Sequence, residues 1–212
     1  MDLLAFFLDL ILHLDRHLAE LIASHGVWVY GILFLVIFCE TGLVVTPFLP
    51  GDSLLFVTGA FAAIGALEVD LLIAILLTAS ILGDNTNYWI GRYFGPKVFK
   101  SEHSRLLNPR YLEQTHQFYQ RHGGKTIILA RFFPIIRTFA PFVAGVGKMD
   151  YRQFVPYSLV GGLAWVGSLV LAGYFFGNIP FIKQNLTLVI FGIIGLSLLP
   201  GIIGFIRHRS QS

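Results

Sequence analysis

The sequence predicts an all-α polytopic integral membrane protein. Of its 212 residues, 55% are hydrophobic and only 13% are charged, a composition typical of membrane proteins rather than of soluble domains. Apolar segments long enough to cross a bilayer alternate with two apolar segments, residues 27–67 and 126–147, that proline and glycine interrupt. Irregular backbone at membrane depth must be buried in protein or line a watered cavity. The interrupted segments therefore predict two inverted re-entrant helical hairpins that face each other, beside spanning helices.

The chain begins with a segment, residues 1–24, that we expect to form an interfacial amphipathic helix. Leucine and phenylalanine recur at helical spacing on one face, whereas Asp9, His13, Arg16 and Glu20 mark the opposite face. A helix of this kind lies in the membrane interface rather than crossing it.

Residues 27–67 predict the first re-entrant hairpin. Each apolar arm has about thirteen residues, which at ~1.5 Å per residue reach only partway across a ~30 Å hydrocarbon core. Prolines and a glycine interrupt the segment between Glu40 and Asp52, so both acids should lie near the tip. A full span followed by a shorter re-entrant segment is the alternative.

Three segments are predicted to span the bilayer: residues 71–91, 157–176 and 186–206. The second half of the first span is polar and should face protein or water rather than lipid. Within it, Asp84 and Asn87 either line a cavity or form hydrogen bonds between helices.

Residues 126–147 predict the second hairpin, which Pro134 and Pro141 interrupt and which carries Arg131 and Arg137. A charge at bilayer depth costs at least about 2.5–3.5 kcal/mol, so it indicates a functional site by default. Guanidinium groups are permanently charged planar forks suited to phosphate oxygens. The two arginines therefore predict a phosphate-binding site inside the membrane.

Glu40 and Asp52 are the predicted acidic half of this site. Burial disfavours the charged form of a carboxyl group, and a nearby arginine restores it. A carboxylate balanced between these effects can bind and release a proton as its surroundings alternate. In the alternative interpretation, each arginine only neutralises Glu40 or Asp52 and holds the hairpins together.

Charge is distributed unevenly along the chain. Residues 1–90 carry nine acids and one base, whereas the remainder carries fourteen bases and three acids. These bases flank membrane segments, so topology explains them better than nucleic-acid binding does. The positive-inside rule places the 92–125 loop and the 208–212 tail, hence the C-terminus, in the cytoplasm. The side of the N-terminus stays open.

Nothing in the sequence predicts an enzyme. The run Gly51-Asp-Ser-Leu54 matches a short lipase and esterase signature, but no downstream Asp and His pair could complete a triad with Ser53. His13 and His17 lie four residues apart and could bind a metal, but a solvated helix face explains them better, and the histidines of the 92–125 loop have no ligand spacing. We therefore expect no catalytic residues, no metal and no other cofactor.

The two interrupted segments correspond loosely to each other. Phe48-Leu-Pro-Gly-Asp52 with Phe56-Val-Thr-Gly59 parallels Phe133-Pro-Ile-Ile-Arg137 with Phe142-Val-Ala-Gly145. Inverted repeats with discontinuous helices are the architecture of secondary transporters, which bind substrate where the repeats meet.

Taken together, these motifs resemble the DedA family of membrane proteins, whose VTT (SNARE-associated) domain is shared with eukaryotic lipid scramblases. The resemblance covers nearly the whole chain. It rests on Phe38-Cys-Glu40-Thr-Gly, Phe48-Leu-Pro-Gly-Asp52-Ser, Gly83-Asp-x-x-Asn87-Tyr-x-Ile-Gly91-Arg and the arginine-containing run from Gly124 to Gly145.

The resemblance implies a DedA-type membrane domain over residues 25–207, located in a bacterial inner membrane. It also implies translocation of undecaprenyl phosphate, or of a related phospholipid, with dependence on the proton-motive force. The functional acids of the family fall on Glu40 and Asp52, and its functional arginines fall on Arg131 and Arg137.

Two other functions stay open: a proton-coupled exporter of small ions or drugs, and a structural membrane-homeostasis factor. The expected partners are a lipid phosphate substrate and membrane lipids, with no nucleic acid. Assembly into a homo-oligomer is left open by the sequence.

Overall fold

The computed structural model describes residues 14–43, 51–98, 124–177, 179–180 and 192. In these ranges, the secondary-structure elements are all α-helices. This confirms the all-helical class for the described part of the chain. The helices are α1 Leu14–His25, α2 Trp28–Gly42, α3 Gly51–Ala63, α4 Val69–Val98, α5 Lys125–Ala130, α6 Pro134–Val146 and α7 Tyr151–Phe176. The start of the predicted amphipathic helix, nearly all of the predicted 186–206 span and the 208–212 tail lie outside the described residues.

Within the described part of the chain, two helices are long and apolar enough to cross a membrane. They are Val69–Phe94 within α4 and Tyr151–Phe176, which is α7, each with 26 residues. At ~1.5 Å per residue, such a helix extends about 39 Å, more than the ~30 Å of a hydrocarbon core. These helices confirm the long apolar segments predicted at 71–91 and 157–176, although α7 begins earlier than expected.

Both interrupted apolar segments contain two short helices, and in the first segment residues 44–50 between the helices lie outside the described residues. In the first segment, α2 has 15 residues and α3 has 13, so neither arm exceeds about 22 Å. In the second, α5 ends at Ala130 and α6 begins at Pro134, the helical position where a missing backbone N–H has no cost. The break before Pro134 is where the sequence predicted it, whereas Pro141, which was also expected to interrupt the segment, lies inside α6. The re-entrant course of the arms stays a prediction.

The chain divides into two compact units, and the first contains residues up to Val36, then Leu49–Leu77 and the residues from Val166 onward. Within it, the backbone N–H of Glu68 donates to the Tyr30 hydroxyl over 2.8 Å. This bond joins the chain just after α3 to the beginning of α2. Within this unit, the two ends of the first interrupted segment therefore lie next to each other.

Helices α3 and α7 meet in this unit through a reciprocal pair of glycines. A Cβ atom on Gly59 would overlap the carbonyl oxygen of Val170, and one on Gly173 would overlap that of Phe56. Gly59 thus lies against the backbone of α7 three residues before Gly173, and Gly173 lies against the backbone of α3 three residues before Gly59. Only a residue without a side chain permits this approach.

The second unit contains Ile37–Phe48 and Thr78–Trp165 and has a glycine pair of the same kind between α4 and α6. A Cβ atom on Gly91 would overlap the carbonyl oxygen of Phe142, and one on Gly145 would overlap that of Tyr88. The spacing of three residues is the same in both units. In each unit, the second arm of an interrupted segment packs in this way on a long helix, which supports the internal repeat that the sequence predicts.

An aromatic and aliphatic core holds the second unit together. Tyr88 stacks on Phe154 with ring centroids 4.6 Å apart, and its hydroxyl donates to the carbonyl of Met149 over 2.6 Å. Ile127 of α5 and Ala144 of α6 belong to the same buried cluster. Both arms of the second interrupted segment therefore pack against α4 and the start of α7, and this packing positions the break between the arms.

Candidate functional site

Among the residues that the structure describes, four charged side chains of the second unit are buried, each at most 4% exposed. They come from four different places in the fold: the last turn of α2, the middle of α4, the break after α5 and the first turn of α6. The residues are Glu40, Asp84, Arg131 and Arg137. Burying a charge is unfavourable unless it is paired, so the pairing of these groups determines what the site can do.

Arg137 pairs with Glu40. Its Nη2 atom donates to Oε1 of Glu40 over 2.6 Å, although the two residues are 97 positions apart in the sequence. The contact joins the end of α2 to the first turn of α6. It therefore brings together one acid and one arginine that the sequence placed in the same predicted site.

Arg131 pairs with Asp84, a partner that the sequence analysis did not assign to it. Its Nη2 atom donates to Oδ2 of Asp84, and its Nη1 atom donates to Oγ of Ser80 over 2.5 Å. The hydroxyl of Ser158 donates to the same carboxylate oxygen over 2.5 Å. Ser80 and Asp84 are one turn apart on α4, so the polar face of this apolar helix contacts protein, as predicted.

Sequence reasoning missed the two serines and Trp165 as members of the site. Ser80 could have been found from its spacing of four residues before Asp84, which places both on one helix face. Ser158 and Trp165 carry no such signal, because a lone serine or tryptophan in an apolar helix is commonplace. In the structure, the Trp165 ring centroid lies 4.3 Å from Cζ of Arg137 and 5.9 Å from Cζ of Arg131.

Asn87 forms hydrogen bonds between helices. Its Nδ2 atom donates to the carbonyl oxygen of Thr41 over 3.1 Å and to that of Thr138 over 2.6 Å. The structure thus shows that Asn87 and Asp84 form hydrogen bonds between different elements, which is one of the two roles that the sequence left open. Cavity lining by either residue stays a prediction.

Asp52 lies in the first turn of α3 and belongs to the other compact unit. Its side chain is half-buried. The neighbouring Ser53 is fully buried, and its hydroxyl has no hydrogen-bond partner among the residues that the structure describes. The assignment of Asp52 to proton exchange stays a prediction.

Comparison with known proteins decides the family. The model of the VTT domain matches residues 49–175. Protein DedA of Escherichia coli (strain K12) is 60% identical over 99% of this chain and 96% of its own length. The chain belongs to the DedA family.

Two other relatives of this DedA-family chain are membrane proteins by name. An uncharacterised membrane protein of Mycobacterium leprae is 46% identical over 84% of this chain and 80% of its own length. Inner membrane protein YghB of Escherichia coli is 34% identical over 86% of this chain and 84% of its own length. No solved structure matches. The inner-membrane name and the two long apolar helices support an inner-membrane location, and the family supports a role in membrane homeostasis.

The described charges of this DedA-family site balance. Each buried arginine contacts a buried carboxylate, Arg137 with Glu40 and Arg131 with Asp84. An anion that approaches either guanidinium group must therefore compete with a carboxylate of the protein. The arrangement suits exchange of one anion for another.

Proposed function

We propose that this chain translocates a lipid phosphate, undecaprenyl phosphate or a related phospholipid, across the inner membrane. Membership of the DedA family supports a role in the membrane. The observation that carries the finer proposal is the buried pair between Arg137 and Glu40, with Nη2 and Oε1 2.6 Å apart. A second buried arginine, Arg131, shares the Trp165 ring with Arg137.

The chemistry of such a substrate matches a buried arginine site. The anionic head of a lipid phosphate cannot cross hydrocarbon unaided, whereas its tail need not leave it. Arginine offers phosphate a planar fork of N–H donors, so it can replace part of the lost hydration of the head. The protein then has to lower the barrier for the head alone.

Proton exchange would make the binding reversible. When Glu40 takes up a proton, its attraction for Arg137 weakens and the guanidinium group can bind phosphate oxygens. When Glu40 loses the proton, the carboxylate competes again and the phosphate is released. A phosphate that entered without a proton would leave excess negative charge in a region of low dielectric, where this is costly. Asp52 is the second carboxylate that we propose for proton exchange.

Transport by the purified protein in liposomes tests the proposal. We would follow the flipping of a labelled short-chain polyprenyl phosphate with and without a pH gradient. Wild-type protein should flip the lipid, and a folded Arg137→Ala variant should not. Arg152→Ala, which changes an exposed arginine at the start of α7, is the matched control. Absence of flipping by folded wild-type protein under every gradient would contradict the proposal and favour an exporter of small ions or drugs.

A structural membrane-homeostasis factor is the second candidate, because the two ion pairs connect four separate elements of the fold. The charge-swapped variant Glu40→Arg/Arg137→Glu separates the two functions. If the pair only holds the fold, the swap should restore both folding and activity relative to either single variant. If Arg137 binds phosphate, the swap should restore folding without restoring transport.

A further inference from the structure

The side-chain amide of Asn87 is fully buried in the second unit and contacts two other elements. It donates to the carbonyl oxygens of Thr41 and Thr138, which are 46 and 51 residues away in sequence. These two residues directly follow Glu40 and Arg137. One side chain therefore contacts the backbone beside both members of the buried ion pair.

The direction of this amide is determined by its partners. An asparagine NH₂ group has two donors, and here the two acceptors are both carbonyl oxygens. Rotating the amide by half a turn would place Oδ1 against the two oxygens and replace attraction by repulsion. Among the residues that the structure describes, no donor reaches Oδ1. The two donated bonds are thus the described interactions that orient the side chain.

The Thr41 carbonyl lies at a helix end, where the backbone needs an external contact, whereas the Thr138 carbonyl lies inside a helix. Thr41 is in the last turn of α2, where carbonyl groups have no partner within the helix. Thr138 lies in α6, one turn before Phe142, whose carbonyl oxygen contacts Gly91 of α4. Asn87 thus satisfies the end of one helix and binds the first half of another.

Glycine on α4 makes the contact with α2 possible. One turn before Asn87, a Cβ atom on Gly83 would overlap Oγ1 of Thr41, and a Cβ atom on Gly42 would lie 3.2 Å from Cα of Gly83. The end of α2 therefore lies directly on α4. At this distance the short asparagine side chain reaches the Thr41 carbonyl.

From this geometry we propose that Asn87 is a positioning residue, which sets the alignment of Glu40 against Arg137 without itself binding phosphate. Asn87 binds the backbone carbonyl groups of Thr41 and Thr138, which directly follow Glu40 and Arg137. It therefore holds the backbone next to both members of the ion pair. Loss of the amide would let the end of α2 and the first half of α6 shift. A charge-assisted hydrogen bond weakens steeply with such shifts. This role deepens the proposed function and rests on it only for its consequence in transport.

A double-mutant cycle on thermal unfolding in detergent tests the role without a transport assay. The change Asn87→Ala is made in wild-type protein and in the variant Glu40→Gln/Arg137→Gln, where no ion pair remains to be aligned. The matched control is Asn85→Ala, because Asn85 donates to Ile81 of its own helix and accepts from Tyr151 of α7. If Asn87→Ala does not yield folded protein, Asn87→Gln, which moves the donors by one methylene group, is measured in the same cycle.

We expect the Tm loss from the Asn87 change to be about 2–4 °C larger in the wild-type background than in the background without the pair. The Asn85 change should lower Tm equally in both backgrounds. Equal losses from the Asn87 change in the two backgrounds would overturn the proposal, since a residue that only satisfies carbonyl groups would act independently of the pair. Because the measurement contains no lipid, this outcome is distinct from a failure of the transport proposal.

Discussion

Arg137 lies over the indole ring of Trp165, with its guanidinium carbon 4.3 Å from the ring centroid. Arg131 contacts the same ring at 5.9 Å. An aromatic face attracts cations by about 0.5–2 kcal/mol, and more strongly where water is excluded. Trp165 thus stabilises two like charges in one buried region and keeps both guanidinium groups near each other.

Replacing Trp165 should show this contribution. We expect Trp165→Leu to lower both Tm and transport more than Trp165→Phe, because phenylalanine keeps a ring face that leucine lacks. Thermal unfolding and the liposome assay measure the two effects. Trp28→Leu, at a residue 79% exposed, should change Tm little. Indistinguishable Leu and Phe variants at position 165 would contradict a contribution from the aromatic face.

Substituting Arg137 by lysine should separate charge from geometry. Lysine keeps the positive charge but cannot offer a planar fork. Losing one charge-assisted hydrogen bond of about 1.5–3 kcal/mol predicts roughly 10–100-fold slower lipid flipping, with the fold retained. Flipping rates of Arg137→Lys and of the exposed control Arg152→Lys provide the test. Wild-type transport by a folded Arg137→Lys protein would refute the requirement for a fork.

Removing the charge of Asp84 should destabilise the protein strongly. Asp84→Asn leaves Arg131 buried beside a neutral group, which typically costs about 3–5 kcal/mol. The double variant Asp84→Asn/Arg131→Gln should lose less stability than the sum of the single variants, since the two residues interact directly. Denaturation in detergent measures all three, with the exposed Asp70→Asn as control. Additive losses would mean that the pair is not coupled in the folded protein.

Two glycines of α7 differ in their surroundings, so substitutions of them can be compared within one helix. A Cβ atom on Gly173 would overlap the carbonyl oxygen of Phe56, whereas one on Gly167 would have no heavy atom of the described residues within 4 Å. Gly173→Ala should therefore lower Tm, because α3 and α7 must separate. Gly167→Ala should leave Tm unchanged or raise it, since alanine favours the helix by about 0.8–1.0 kcal/mol. Equal Tm values for the two variants would contradict the close packing of α3 on α7.

Much of the architecture was predictable because it depends on local properties. Hydropathy over a window of residues indicated the long helices α4 and α7, and the break before Pro134 could be expected because proline interrupts a helix. Burial of Glu40 and Arg137 could be expected as well, since a charge inside an apolar segment has to find a partner or water.

The choice of partners was not predictable, because it depends on which helix faces meet. Arg131 contacts Asp84 across 47 residues of sequence, and Arg137 contacts Glu40 across 97. No local sequence pattern specifies which residues pair over such separations in the chain. The same holds for Trp165, which has the sequence signature of an ordinary core residue. Composition and periodicity thus specify the helices and the charged positions, whereas the packing of the helices determines which carboxylate neutralises which arginine.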